Sequence, residues 1–286
     1  MKIGFFGFNN GPLGDPDAMV RALRAMDDAG FDSAWTGEHV VLVDPQEPPS
    51  PVPPEFPMVD TVAALSFAAG VTDRVRLASG IILLAQRNPV VLAKELTGID
   101  RLSKGRLMFG VGVGYVPREF DVIGVPYGER GARVSEHIEA IRALWTQEKP
   151  EFQGRFTQIS GIQQKPMPVQ QPHPPIIVGG MSPVAYRRAV RQGNGWYGFA
   201  QTVDATAASV QGLNDAASVE SRPPELGELE ITVTPPPGAI DLDTAKRYED
   251  LGVSRLTLLP GQLDDKGTPG DGAVRFIENV AQQFNL

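Results

Sequence analysis

No cysteine occurs in this chain. Its absence excludes disulfides, thiolate catalysis and zinc or iron–sulfur sites built on sulfur, and it fits a cytoplasmic protein. Histidine is scarce: His39, His137 and His173 are the full set. They show no HxH or HExxH spacing, which argues against a metal site. Basic charge is outweighed, with 26 Lys and Arg against 34 Asp and Glu for a net charge of −8. No basic cluster exceeds a few residues, so neither nucleic acid nor an anionic membrane is an expected partner. Long apolar runs are missing as well, since a stretch such as 81–85 is strand-sized and far short of a membrane span. The opening MKIGFF lacks a signal-peptide layout and reads as a first strand. There is no G-x-S-x-G elbow, and no P-loop lysine follows Gly179-Gly180. Nothing singles out a carboxylate pair for glycoside hydrolysis.

What is present is alternation. The 286 residues, 42% hydrophobic and 21% charged, have the composition of a soluble globular protein. Strand-like segments at 3–8, 33–40, 75–84, 106–113, 176–178, 195–199, 229–234 and 255–259 alternate with helical ones. The helices read over 15–29, 60–69, 90–102, 128–145, 183–192, 205–219, 242–251 and 272–284. About eight strand–helix pairs is the count of a (β/α)8 TIM barrel in the α/β class. A doubly wound open sheet is the other arrangement such units can form. The pair count favours closure, and composition nowhere breaks, so one domain spanning 1–286 is expected. Proline punctuates two segments. Residues 150–175 read as an extended insertion between the fourth helix and the fifth strand, with a hairpin near 152–156. Residues 42–57 hold seven prolines and form a long loop after the second strand, where a barrel carries its active site. A substrate-shaping lid is favoured there over disposable decoration.

Four places carry candidate chemistry. In PPIIVGGMSPVAYRRAVRQGNGWYG, residues 174–198, a buried strand ends in Gly179-Gly180 before a helix capped by Ser182 with Pro183 in its first turn. Converging amides and a helix dipole make that an anion site, and an ordinary well-capped connection is the equal alternative. SAWTGEH, residues 33–39, places His39 at the end of the second strand. A near-neutral imidazole there suits acid–base work, while a hydrogen-bonded structural histidine has half the weight. Glu38 faces the other way in the pleat and is placed to orient its surroundings. Gly110, Gly112 and Gly114 form G-x-G-x-G, with Pro117 following in place of a helix start. That spacing is not a dinucleotide fingerprint, although it permits close approach of a planar ring. Gly80 within LASGI, residues 77–81, marks a bulge in the third strand.

Taken together, AGFDSAWTGEHVVL, LASGIILLAQRNPVVLAKELTGIDRLSKGRLMFGVGVGYVPREF and HPPIIVGGMSPVAYRRAVRQGNGWYG resemble the luciferase-like monooxygenase superfamily. These are flavin and deazaflavin oxidoreductases, and the likeness is greatest to the branch using coenzyme F420. The resemblance runs in order along nearly the whole chain. It implies a (β/α)8 barrel holding F420, or FMN as the alternative, with the ring over a non-prolyl cis peptide within Ser79, Gly80 and Ile81. Gly112 and Gly114 would line the cofactor, and the amides of Gly179, Gly180, Met181 and Ser182 would hold its phosphate. His39 matches the position of an acid/base histidine in some relatives. Tyr115 stands where the sugar-phosphate dehydrogenases of this branch carry a catalytic glutamate. That departure favours reduction of an unsaturated or carbonyl-containing molecule, with Tyr115 as proton donor or pocket wall and with Glu38 in support. Phe8, Trp196 and Phe199 would add apolar walls. The expected partner is a small-molecule substrate, and relatives imply a homodimer paired through helices flanking the barrel. The competing readings are an FMN-dependent monooxygenase and a non-catalytic F420-binding protein.

Overall fold

The computed structural model describes residues 1–263 and 268–286. Its strands are β1 (Lys2–Phe6), β2 (Ser33–Trp35), β3 (Arg76–Ala78), β4 (Ile82–Leu83), β5 (Leu107–Gly112), β6 (Phe152–Gln153), β7 (Gln158–Ile159), β8 (Ile176–Gly179), β9 (Gly195–Gly198), β10 (Glu230–Val233) and β11 (Arg255–Leu258). The helices are α1 (Pro16–Ala29), α2 (Thr61–Val71), α3 (Pro89–Leu102), α4 (Pro117–Ile123), α5 (Arg130–Thr146), α6 (Pro183–Gln192), α7 (Val203–Val219), α8 (Leu242–Asp250) and α9 (Asp271–Phe284). Strands β3, β2, β1, β11, β10, β9, β8 and β5 lie side by side, and β3 also pairs with β5, closing the sheet. All these pairings are parallel. The chain is a (β/α)8 TIM barrel, as its alternation predicts.

Local chemistry explains the helix starts. Asp15, Asp60, Asn88, Ser182, Thr202 and Asp241 each cap a helix by accepting a first-turn backbone N–H. Pro16, Pro89 and Pro183 occupy first-turn positions, where the missing N–H costs nothing. Helix α1 stops at Gly30, whose φ of 85° suits glycine. Its inward side chains, Met19, Leu23 and Met26 among them, are buried against the sheet. Burial of each such side chain stabilises the fold by about 1.5–3 kcal/mol.

The barrel lumen grades from polar to apolar. At its N-terminal end Arg255, fully buried, donates to Asp32 (2.5 Å), Glu230 (3.2 Å) and Thr232 (3.1 Å). Above it the Tyr197 hydroxyl meets Thr234 (2.6 Å), which in turn bonds Thr257. The next layer is a buried cluster of Phe6, Trp35, Ala78, Met108, Ile177 and Tyr197, in which Trp35 stacks on Tyr197 with ring centroids 5.2 Å apart.

Two expectations shift in detail. The third strand, expected over 75–84, breaks at a cis peptide between Gly80 and Ile81 and resumes as β4. The insertion does carry a hairpin, β6 with β7, and both parts are tied down. Glu136 on α5 accepts the amides of Arg155, Phe156 and Thr157, while the buried Asp100 on α3 accepts those of Val169 and Gln170.

Asp27 fastens α1 to the start of β3 by accepting the amides of Val75 (2.6 Å), Arg74 (2.8 Å) and Asp73 (2.9 Å). Burial pushes its carboxyl pKa up, but these three N–H groups and the Arg74 charge overcome that and hold it below the usual range. The stability it contributes is present above the ordinary carboxylate pKa of about 3.9 and is lost as pH falls through the depressed folded value. Asp27→Ala should therefore lower stability at pH 7 by roughly 1–3 kcal/mol. Urea unfolding should show the difference from wild type shrinking toward acid pH.

Candidate active site

The C-terminal mouth of the barrel opens into a cavity of about 1000 Å³. Its floor includes Phe6, Tyr197, Gly80 and Ile81, and its rim includes Gly180 and Met181 at the approach to α6. The proline-rich loop supplies a side wall through Pro51, Val52 and Phe56, so the segment read as a substrate-shaping loop does face the cavity. Among the described residues, no Lys or Arg lines it. The titratable groups that do are Glu38, His39, Tyr115 and Tyr197.

The floor depends on missing side chains. A Cβ at Gly110 would lie 1.8 Å from the Ser79 carbonyl oxygen, and one at Gly112 would lie 2.0 Å from Ile81 Cδ1. A third, at Gly179, would come within 2.6 Å of the same Ile81 atom. Ser79 is fully buried and its hydroxyl donates to the Gly110 carbonyl at 2.7 Å. The chain between β3 and β4 is thus sunk into gaps in β5 and β8, and Ile81 enters the cavity floor.

His39 is positioned from several sides. Asn9 donates to the carbonyls of Gly37 (3.0 Å) and Val59 (2.7 Å) and accepts the Gly37 amide (2.8 Å). The Thr61 hydroxyl also donates to Gly37 at 3.0 Å. These bonds pin the chain where it leaves β2, and the His39 amide donates to Met58 Sδ at 3.1 Å. The ring Nδ1 lies 3.1 Å from Glu119 Oε1, and Nε2 lies 3.4 Å from the Tyr115 hydroxyl. Burial and the nearby Glu119 charge both push the Tyr115 phenol pKa up.

Glu38 and Glu119 differ in their partners. Glu38 Oε1 accepts the Leu83 amide and Arg87 Nε, both at 3.2 Å, and Arg87 also pairs with Asp60 at 2.9 Å. Burial pushes the Glu38 pKa up, against the pull of Arg87. Its carboxylate is therefore bound to the scaffold; the strand expected over 33–40 ends at Trp35, so this placement comes from Arg87 and the Leu83 amide and not from a pleat. Tyr197, fully enclosed, has its phenol pushed far up by burial and stays protonated.

Several sequence expectations need correction. Phe8 does not wall the cavity, because Gly7 turns the chain at φ 90° and sends Phe8 into the outer core; Phe6 takes its place. Trp196 faces outward, packing on Tyr186 and donating Nε1 to the Gly180 carbonyl at 2.8 Å, while Tyr197 faces in. Phe199 does line the cavity, with Gly80, Ile81, Gly114, Gly180 and Met181. Gly112 and Gly179 instead make room for Ile81. The Ser182 hydroxyl is taken up capping α6 through the Ala185 amide. Pro117 does not replace a helix start but is one, since it opens α4. Glu119 was missed for that reason. Pro117 at the first position, an acid two residues on and Gly124 at the close were the available signals. The other histidines are structural: His137 Nδ1 sits 3.3 Å from the Leu84 carbonyl and His173 Nδ1 sits 2.7 Å from that of Pro174. No cluster able to hold a metal ion occurs among the described residues.

The closed barrel carries an apolar cavity at the strand C-termini, the face where enzymes of this fold place their active sites, with the His39–Glu119 pair at its edge. The chain belongs to the luciferase-like monooxygenase family, whose model matches residues 1–252. An uncharacterized protein of Mycobacterium tuberculosis is 30% identical over 274 residues, covering 92% of each chain. The FMNH2-dependent dimethylsulfone monooxygenase of Pseudomonas putida is 31% identical over 159 residues, 54% of this chain and 44% of that one. Among solved structures, an F420-dependent secondary alcohol dehydrogenase in complex with an F420–acetone adduct superposes with a TM-score of 0.77 at 17% identity, covering 97% of both chains. Family neighbours therefore include both F420-dependent and FMN-dependent enzymes.

The packing around Ile81 makes a prediction. Gly112→Ala should displace Ile81 and lower stability by about 1–3 kcal/mol. Adding Ile81→Ala should recover part of that loss, because the methyl then has space. Thermal or urea unfolding of the single and double variants checks this, and simple additivity would show that the two groups do not compete.

Proposed function

We propose that the protein is an F420-dependent oxidoreductase acting on a neutral, largely apolar substrate with a carbonyl or an activated double bond. The observation that carries this reading is His39, held by a buried carboxylate and joined to the Tyr115 hydroxyl at the edge of an apolar cavity. A bound deazaflavin supplies or accepts a hydride in a two-electron step and reacts poorly with oxygen. Reduction of a carbonyl then needs a proton at oxygen, and Tyr115 and His39 are the cavity groups suited to deliver it.

The residues present fit such a cofactor. Ile81 and the Gly80–Ile81 peptide offer a flat apolar support for a ring. At the opposite rim Gly180, with φ 127°, turns the chain into the N-terminus of α6, where a Cβ would crowd Ala185 at 2.9 Å. The Gly180 amide donates to the Tyr197 carbonyl at 3.4 Å, so the amides of Met181 and Ser182 would hold an anionic tail with help from the helix dipole. Phe199 and Phe56 would bound the substrate space, and the homodimer implied by relatives is compatible with this assignment.

The second reading, an FMN-dependent monooxygenase, is favoured by the likeness to the Pseudomonas enzyme. Titration of the purified protein with F420 and with FMN separates the two. We expect saturable F420 binding, whereas micromolar FMN binding with no F420 binding would reverse the assignment. His39→Ala should keep cofactor affinity and lose about 100-fold or more in kcat/KM. Unchanged turnover would leave His39 with no chemical part.

A further inference from the structure

Two buried carboxylates stand beside His39, and only Glu119 touches it. Glu38 is committed to the Leu83 amide and to Arg87, which also holds Asp60. Glu119 reaches in from the first turn of α4 and is fully buried. Its Oε1 meets His39 Nδ1, and its Oε2, like that of Glu38, has no hydrogen-bond partner among the described residues, so the His39 contact is its one side-chain bond there. A carboxylate with one free oxygen in an enclosed position is costly to keep unless the other oxygen is strongly engaged. Across the ring, Nε2 meets the Tyr115 hydroxyl, which is partly exposed at the cavity edge. The Tyr127 hydroxyl donates to the Tyr115 carbonyl, and the Arg130 guanidinium stacks 3.7 Å over the Tyr127 ring. That leaves the Tyr115 backbone held from behind.

We propose that Glu119 is the positioning residue of a Glu119–His39–Tyr115 proton relay. Glu119 accepts the Nδ1–H of His39, which leaves Nε2 bare to accept the Tyr115 O–H, so that Tyr115 is the group that meets the substrate oxygen. The proton balance closes. When a substrate hydroxyl is oxidised, its proton enters the Tyr115 oxygen as the Tyr115 proton passes to Nε2. The product is an imidazolium beside the Glu119 carboxylate, and a bound deazaflavin would supply the acceptor for the hydride lost from the adjacent carbon. Reduction runs the same transfers backward. Glu119 thus does two things with one contact: it selects the tautomer, and it balances the charge when the ring takes a second proton.

The inference rests on the proposed chemistry for its meaning, but its test reads the ring itself, without cofactor or substrate. Imidazole 15N shifts of the purified protein at alkaline pH report which nitrogen carries the proton, and His39 is assigned by its loss in His39→Gln. With three histidines in the chain, the spectrum is simple. We expect wild-type His39 as the Nδ1–H tautomer. Glu119→Gln, whose side-chain oxygen still accepts, should keep it; Glu119→Leu should shift the ring toward Nε2–H. Tyr115→Phe should move the Nε2 resonance while leaving the tautomer alone. An Nε2–H ring in the wild type, an unaltered tautomer in folded Glu119→Leu, or an unmoved Nε2 signal in Tyr115→Phe would each overturn the relay. Should Glu119→Leu fail to fold, the wild-type and Glu119→Gln spectra decide. Failure here leaves the F420 titration untouched, so the relay and the cofactor assignment stand or fall separately.

Discussion

Everything at the barrel mouth depends on the chain between β3 and β4 sinking into gaps where Gly110, Gly112 and Gly179 have no side chains. The contact is steric before it is anything else. A methyl group at Gly110 would overlap a backbone oxygen, which cannot move aside as a side-chain tip can. With Ser79 bonded to the Gly110 carbonyl, the third strand is interrupted, and Ile81 enters the cavity floor. The same interruption resumes the chain as β4, whose Leu83 amide reaches Glu38. Glu38 is thereby drawn to the scaffold, and its sequence neighbour His39 is left free to face α4. One packing solution in the wall sets the roles of two adjacent side chains.

The electrostatics follow a similar division. At the N-terminal end of the lumen the charges of Arg255, Asp32 and Glu230 answer one another, and Arg76 sits close enough that burial and the Arg255 charge hold its pKa down. At the C-terminal end no cationic side chain lines the cavity among the described residues. A largely apolar wall of that kind discriminates by shape and by hydrogen-bond geometry more than by net charge.

Much of the fold was legible because it depends on local rules. Capping residues, first-turn prolines and alternating apolar segments lay in the right order, and closure followed from their number. The site was legible only in part. His39, Gly80 and Gly180 were visible as irregularities in otherwise regular segments, and Tyr115 only through the family resemblance. Trp196 misled because a strand face is decided by period two: Tyr197 and Phe199 share a face, and Trp196 cannot join them. Phe8 misled because the alternation lapses at Gly7. Gly112 suggested an open approach for a ring, when the space it leaves is filled by Ile81 from a segment thirty-odd positions away along the chain. No sequence pattern announces which neighbour fills a missing side chain. Glu119 was hidden differently, within a helix of 7 residues that is too short to show a period.

That last case shows how a cluster of polar side chains at one cavity edge can be spread across unrelated signals. His39 follows β2, Tyr115 follows β5 and Glu119 belongs to the short helix after it, so their approach is a property of barrel closure. β2 reaches β5 only through β3, and any slip in that register would carry His39 out of reach of Glu119. The glycine gaps that receive Ser79 and Ile81 lie in the strands flanking this path, and they lock β3 against β5 at the level of the site. The structural device that supports the cavity floor is therefore also what holds the imidazole within hydrogen-bonding distance of its carboxylate. The cavity floor and the position of the His39 imidazole are not separate features of this barrel, because both are set where the third strand gives way.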